Sequence, residues 1–303
     1  MRYLRTMLLA AATSAIALSA AAQELVIGRA NEPQSIDPQF SRTGNNQMTS
    51  LHIFDRLILT DANVRPMPGL AVEWEAEDDT TWLVRLREGV TFHDGSPFTA
   101  ADVVYSLERA PDVPNSPASF AGSVANLASS EIVNDHTIRF TTATPDPLFI
   151  QNIGTVYIVS QAAAEGAANE DFNSGQAAIG TGPYEFVSWS PGDRLQLIRN
   201  DAYWGDAPAF ETVTMRFIAN DAARVAALLS DAVDLIDLVP PADLPNLREN
   251  PDISVYDTPT VRLIYLALNQ AEDAPGLTDT AGNPMDVNPL QDARVRRAIS
   301  MMI

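Results

Sequence analysis

The sequence predicts a mixed α/β fold, and two interleaved patterns carry that prediction. Apolar residues alternate with polar ones at Val72, Trp74 and Ala76 and at Trp82, Val84 and Leu86, the period of half-buried strands. Elsewhere they recur at helical spacing, as at Val103, Val104 and Leu107. At 303 residues the chain suits one large domain or two ordinary ones, and 46% apolar with 19% charged residues excludes disorder and fibrous repeats.

In chain order, residues 1–22 have the layout of a secretory signal peptide. Arg2 and Arg5 precede an apolar run from Met7 to Ala20, and Ala20-Ala21-Ala22 offers a cleavage site before Gln23. The run falls short of the ~18 to 20 residues that span a bilayer, so export to the periplasm is expected. Glu24–Ala30 reads as a buried strand, and a turn-rich loop follows. Leu51, Phe54, Leu57 and Ile58 suggest a helix over Met48–Leu59, and Val64–Pro68 a connector. The strands at 72–76 and 82–86 form a hairpin turned at Glu77-Asp78-Asp79. Val90-Thr91-Phe92 is a third short strand, stopped by Asp94-Gly95. Thr99 with Asp102 makes a shortened capping box for the helix that Pro111 ends.

A loop with one short helix is expected over 111–130. Strands are expected at Glu131–Phe140 and Thr155–Val159, a helical turn at Gln161–Gly166, and irregular chain at Ala167–Ala178. Gly180-Thr181-Gly182-Pro183-Tyr184 resembles the start of a dinucleotide fingerprint. Glu185 stands where the third Gly belongs and a strand follows, so it reads instead as a Gly-permitted crossing into a hairpin turned at Ser190–Asp193. A strand at Val213–Phe217, a helix at Asp221–Leu229, strands at Val233–Val239 and Val261–Leu268, and a helix capped by Asp292 complete the reading.

All 19 basic residues are Arg, and Cys is absent. Schiff-base lysines, a Walker-A lysine, thiolate nucleophiles, disulfides and a lipid-anchored cysteine are therefore excluded. A net charge of −20 disfavours nucleic acid as a partner. No nucleophile–base or zinc motif is present, and His52, His93 and His136 fall in ordinary helix or strand patterns. Asp231, Asp234 and Asp237 are spaced by three, but a strand pattern separates their side chains, so no metal site is expected. No catalytic residue and no cofactor is assigned.

The stretch Gly69–Arg109, GLAVEWEAEDDTTWLVRLREGVTFHDGSPFTAADVVYSLER, resembles the signature of extracellular solute-binding proteins of the peptide/nickel type, the receptors of ABC importers. The resemblance continues in order along nearly the whole chain. It takes in Ser35-Ile36-Asp37-Pro38, Gly180–Tyr184 with Asn200–Gly205, and Ala222–Asp234, where Ser230 replaces the usual Gly. Tyr265–Asn269 and Asp292–Ser300 complete it.

That family implies a periplasmic-binding-protein type II fold whose two lobes trap a ligand. The expected division is 23–66 with 180–268 as the first lobe, 67–179 as its inserted subdomain, and 269–303 as the start of a second lobe that is largely absent. The expected function is capture of a peptide or similar small solute and its delivery to inner-membrane permease subunits, by a non-enzymatic monomer. A sensor or chaperone on the same fold is the alternative, and a secreted hydrolase a remoter one. Opine, sugar, nickel-complex and haem ligands also occur in the family. Relatives set a Thr/Ser-Gly turn against the ligand, which maps to Thr43, Gly44 and Asn45. Arg42 departs from the small polar residues common there and suits a ligand carboxylate, against the plainer reading of a solvated arginine. Tyr157 and Tyr265 are further ligand candidates, against core packing. Because relatives are longer, a 303-residue chain is expected to bind weakly or not at all by itself.

Overall fold

A computed structural model describes residues 24–61, 63–257, 265–273 and 276–303. The signal segment lies outside the described residues, as does the expected strand at 261–268 up to residue 264. Tyr265–Leu268 form no strand and are largely exposed, since no described strand offers them a ladder partner. The chain falls into two units, one ending at Asn246 and one comprising Leu247–Ile303.

The elements run β1 (Glu24–Arg29), α1 (Gly44–Ile53), β2 (Ile58–Thr60), β3 (Pro66–Pro68), β4 (Ala71–Ala76), β5 (Thr81–Leu86), α2 (Ala100–Arg109), α3 (Ala121–Val124), β6 (Leu127–Asn134) and β7 (Thr137–Thr142). Then come α4 (Phe149–Ile153), α5 (Gln161–Ala164), α6 (Asn169–Asn173), β8 (Tyr184–Ser190), β9 (Arg194–Arg199), β10 (Thr212–Phe217), α7 (Asp221–Leu229), β11 (Leu235–Ile236), α8 (Leu244–Glu249) and α9 (Ala293–Ser300).

Three sheets form. The first has the order β11-β1-β10-β9-β8, with β1 parallel to both neighbours and β9 antiparallel between β10 and β8. The second, β4-β5-β7-β6, is antiparallel throughout, and β2 pairs with β3 alone. The inward residues Val84, Leu86, Ile138 and Phe140 of the second sheet are buried with Val103 and Leu107 of α2. Leu195, Leu197, Val213 and Met215 fill the inner side of the first. The 72–86 hairpin, the α2 and α7 helices and the hairpin turned at Ser190–Asp193 all form where the sequence places them. The Thr99 N–H donates to Asp102 Oδ2 at 2.9 Å, which closes the predicted cap.

Several segments differ from the sequence reading. The helix predicted over Met48–Leu59 is α1, Gly44–Ile53, and Phe54, Leu57 and Ile58 belong to the chain after it. Its buried face is mostly polar: Asn46, Thr49 and Ser50, with Ile53. The Asn46 side chain donates to the Ser35 carbonyl at 3.0 Å and accepts from the Gln34 N–H at 2.7 Å. A polar face with its hydrogen bonds met inside the fold carries no apolar period for the sequence to reveal. Pro66–Pro68 is a strand rather than a connector.

Val90–Phe92 makes only the single bridge Thr91–Pro97, around a turn in which Gly95 takes φ 83°. Glu131–Phe140 is a hairpin turned at Asp135-His136 rather than one strand. Thr155–Val159 makes one bridge, Arg56–Tyr157, and is no strand. The helices α4 and α6 were too short to leave a periodic signal, and the strand expected at Val233–Val239 is only the two-residue β11. In the second unit, the Asn288 side chain donates to the carbonyls of Asn269 and Ala271 at 2.9 and 2.8 Å, and Asp292 caps α9.

Candidate functional site

The carboxyl edge of a parallel strand pair is where open α/β sheets offer a ligand crevice. Here that edge is Arg29, the last residue of β1, paired with Phe217 at the end of β10. Arg29 is buried and ion-paired to Asp237 at 2.8 Å, and Asp237 also accepts from the Ala30 N–H at 2.7 Å. Its guanidinium lies between two sulfurs, Met215 Sδ at 3.8 Å and Met48 Sδ at 3.7 Å, so it ties the strand end to α1. Asp234 accepts from the Val26 N–H at 2.7 Å. Two of the three spaced aspartates thus serve β1, and among the described residues no acidic or histidine cluster suits a metal ion. Sequence reading missed Arg29 and Met48. No sequence signal marks them, because what singles them out is a partner from a distant segment.

The α1 helix is inside-out. With its polar face buried, Gly44, Met48 and Leu51 form an outward stripe at i, i+4 and i+7, and Met48 and Leu51 are 47% and 39% exposed. Arg42 stands exposed at the head of the stripe. Its N–H donates to the Ala118 carbonyl at 2.9 Å, its carbonyl accepts from Gln47 Nε2 at 2.6 Å, and its guanidinium lies 5.8 Å from the Phe120 ring. Thr43 is the N-cap residue but gives no side-chain cap, and its hydroxyl accepts from Ser41 Oγ at 3.1 Å. The N–H groups of Gly44, Asn45 and Asn46 therefore have no acceptor among the described residues. Arg42, Thr43, Gly44 and Asn45 thus form one electropositive corner at the start of α1.

The two tyrosines lie elsewhere. Tyr157 is fully buried, a correction to its reading as a ligand-contacting residue. Its hydroxyl donates to the Gln47 carbonyl at 2.9 Å, so it holds α1 from inside, and burial pushes its pKa well above the usual range. Tyr265 is 72% exposed and belongs to the unit 247–303.

Below α1 the Gly180–Gly182 crossing is stapled by His93, which links two of the sequence motifs. The Gly180 N–H donates to His93 Nδ1 at 3.2 Å, and His93 Nε2 donates to the Gly182 carbonyl at 3.0 Å. Both bonds form together only with the neutral ring protonated at Nε2. Burial lowers the His93 pKa, against the Gly182 bond. Next to it Asp55 accepts from Trp204 Nε1 at 2.7 Å and Thr181 Oγ1 at 3.0 Å, and burial raises its pKa to about 6 despite these bonds.

The two groups act oppositely on stability. Asp55 has a raised folded pKa, so its contribution is full below its unfolded value of 3.8 and is lost as pH rises through about 6. His93 has a lowered one, so its contribution is full above 6.5 and is lost as pH falls below that. Asp55→Asn is expected to stabilise the protein at pH 7.5 by up to about 3 kcal/mol, shrinking toward zero at pH 4, in denaturant titrations of both proteins across that range. A pH-independent difference would contradict the assignment.

Comparison with known proteins places these features in a family. Residues 65–303 match the family model described as bacterial extracellular solute-binding proteins, family 5 middle. The chain is 29% identical over 286 residues to the probable D,D-dipeptide-binding periplasmic protein of Escherichia coli K12, covering 91% of this chain and 52% of that one. Among solved structures it is similar to an ABC transporter-associated periplasmic binding protein of Helicobacter pylori in complex with the peptide STSA. That likeness has a TM-score of 0.67 and 27% identity over 75% of this chain and 49% of that one. It is likewise similar to a binding protein from Agrobacterium tumefaciens in complex with agropinic acid, with a TM-score of 0.68 and 28% identity over 75% and 46%. The chain spans about half the length of these relatives. These named relatives are binding proteins rather than enzymes, and among the described residues no helix is long and apolar enough to cross a membrane. The inverted helix, the stapled glycine crossing and the parallel strand edge thus sit in a mixed α/β chain that belongs to the bacterial extracellular solute-binding proteins, family 5.

Proposed function

We propose that this chain carries a ligand-recognising part of a periplasmic ABC-importer receptor, one that captures a peptide or similar small solute and passes it to inner-membrane permease subunits without chemical turnover. The observation that carries the reading is the inside-out α1 helix. An exposed apolar stripe headed by an arginine and free N–H groups suits a ligand with a carboxylate and an apolar side chain. The named relatives, one a dipeptide-binding protein and one bound to a tetrapeptide, support the peptide class. In this reading residues 1–22 are a cleaved export signal, 23–66 and 180–268 form the first lobe, 67–179 are its insert, and 269–303 begin the second. The ligand meets Arg42, Thr43, Gly44 and Asn45.

The test uses the product of the native gene, screened with di- to pentapeptides by thermal shift and then by calorimetry. At least one peptide class is expected to bind saturably, and Arg42→Gln to weaken a peptide with a free C-terminal carboxylate about tenfold or more, as for loss of a charge-assisted bond. Its C-terminally amidated form should bind both proteins alike. Peptide turnover, or equal affinity of wild type and Arg42→Gln for the free acid, would contradict the reading.

A further inference from the structure

Between the β2–β3 hairpin and the end of α4 lies a cavity of about 280 Å³, bounded by Arg56, Ile58, Val64, Gln151, Asn152 and Thr155 among others. Arg56 is half-buried, and its Nε is buried with no hydrogen-bond partner. Every other arginine among the described residues that is not exposed donates a side-chain hydrogen bond or ion pair, as Arg29, Arg87, Arg109, Arg139, Arg199 and Arg224 do. Among the described residues the Arg56 side chain makes no hydrogen bond or ion pair; its guanidinium carbon lies 5.5 Å from the Tyr157 ring, and the buried Asp55 carboxylate acts on it only through space. Gln151 and Asn152 are exposed at the cavity mouth, and their side-chain amides make no hydrogen bond to the described residues. Val64, at the rim, holds a left-handed φ of 62°, a costly conformation for a β-branched residue.

The terminal nitrogens of the Arg56 guanidinium have no hydrogen-bond partner among the described residues, so an acceptor bound in the cavity can pair with them. The planar guanidinium fork matches a carboxylate, two free amides can complete its shell, and Ile58 and Val64 suit a short hydrocarbon tail. The chain's −20 charge repels anions at long range, so binding here has to come from local contacts. We infer that this cavity is a second ligand site, for a small aliphatic carboxylate, independent of the α1 surface.

Butyrate is the probe, titrated at constant ionic strength against chloride, with the Arg56 Nε–H followed by ¹⁵N NMR and heat by calorimetry. The expected result is a saturable shift of that resonance, kept in Arg42→Gln. Calorimetric binding should be lost in Arg56→Met. Gln151→Glu places a carboxylate beside Arg56; it is expected to raise Tm and abolish the butyrate response, which tests the site even if Arg56→Met does not fold. Inorganic phosphate should bind at least tenfold more weakly. A linear, unsaturating shift, a butyrate response unchanged in Gln151→Glu, or phosphate binding as tight as butyrate would overturn the assignment. Loss of peptide binding in Arg42→Gln with butyrate binding intact separates this site from the proposed peptide surface.

Discussion

Asp37→Ala is expected to destabilise the protein by about 3–5 kcal/mol, the cost of stranding one member of a buried ion pair. Asp37 is fully buried and takes both terminal nitrogens of Arg109, at 3.1 and 2.6 Å. Arg109 also donates to Gln39 Oε1 at 2.9 Å and lies 4.8 Å over the Phe172 ring. One side chain thus joins the N-terminal loop to the last turn of α2 and to α6. Without Asp37 the guanidinium keeps only a neutral amide oxygen and a ring face, too little to offset its desolvation. Urea titration of the single variants and of Asp37→Ala/Arg109→Ala checks this. The double variant is expected to be less destabilised than the sum of the two singles, because it leaves no unpaired charge. Additive losses would show that the pair is not coupled.

Gly180→Ala is expected to cost at least about 3 kcal/mol and to disturb α1, as severe overpacking does. A Cβ at Gly180 would lie 1.9 Å from the Ile53 carbonyl oxygen, and one at Gly182 would lie 2.6 Å from the Ile53 carbonyl carbon. The obstacle is backbone, which cannot rotate aside. It is also the backbone that ends α1, because the Gly182 N–H donates to the Ile53 carbonyl at 3.0 Å. Gly44→Ala is the control: nothing lies within 4 Å of its Cβ position, so its stability should stay within about 0.5 kcal/mol. Thermal unfolding of the two variants decides it, and similar Tm values for both would contradict the close approach.

The contrast between these two glycines shows what the sequence makes legible. The motif around Gly180 could be read as a glycine-dependent crossing because a bulky Glu185 and a following strand rule out a phosphate loop. That the glycines admit the end of α1 needed the fold, since the partner lies more than a hundred residues away. The hairpins and α2 and α7 were legible because each carries its own period and cap. α1 was misplaced because it buries Asn46, Thr49 and Ser50, while Met48 and Leu51 face outward. The 127–142 hairpin looked like one strand because its turn, Asp135-His136, lacks the usual glycine. The loop corner at Arg42–Asn45 was reached through family resemblance. Arg29, Met48 and Arg56 were not, because what marks them is a partner, or the lack of one, from a distant segment. Tyr157 illustrates the reverse: an aromatic in a strand-like segment that the fold turns wholly inward.

The central claim is that the N-terminal corner of α1 receives the solute. Amide hydrogen exchange on the native gene product, with and without a saturating peptide from the binding screen, tests it directly. The Gly44 and Asn45 amides have no acceptor among the described residues and are not buried, so they should exchange fast in the free protein and slow markedly on binding. Saturable peptide binding that leaves those two amides unprotected would place the ligand elsewhere and contradict the account.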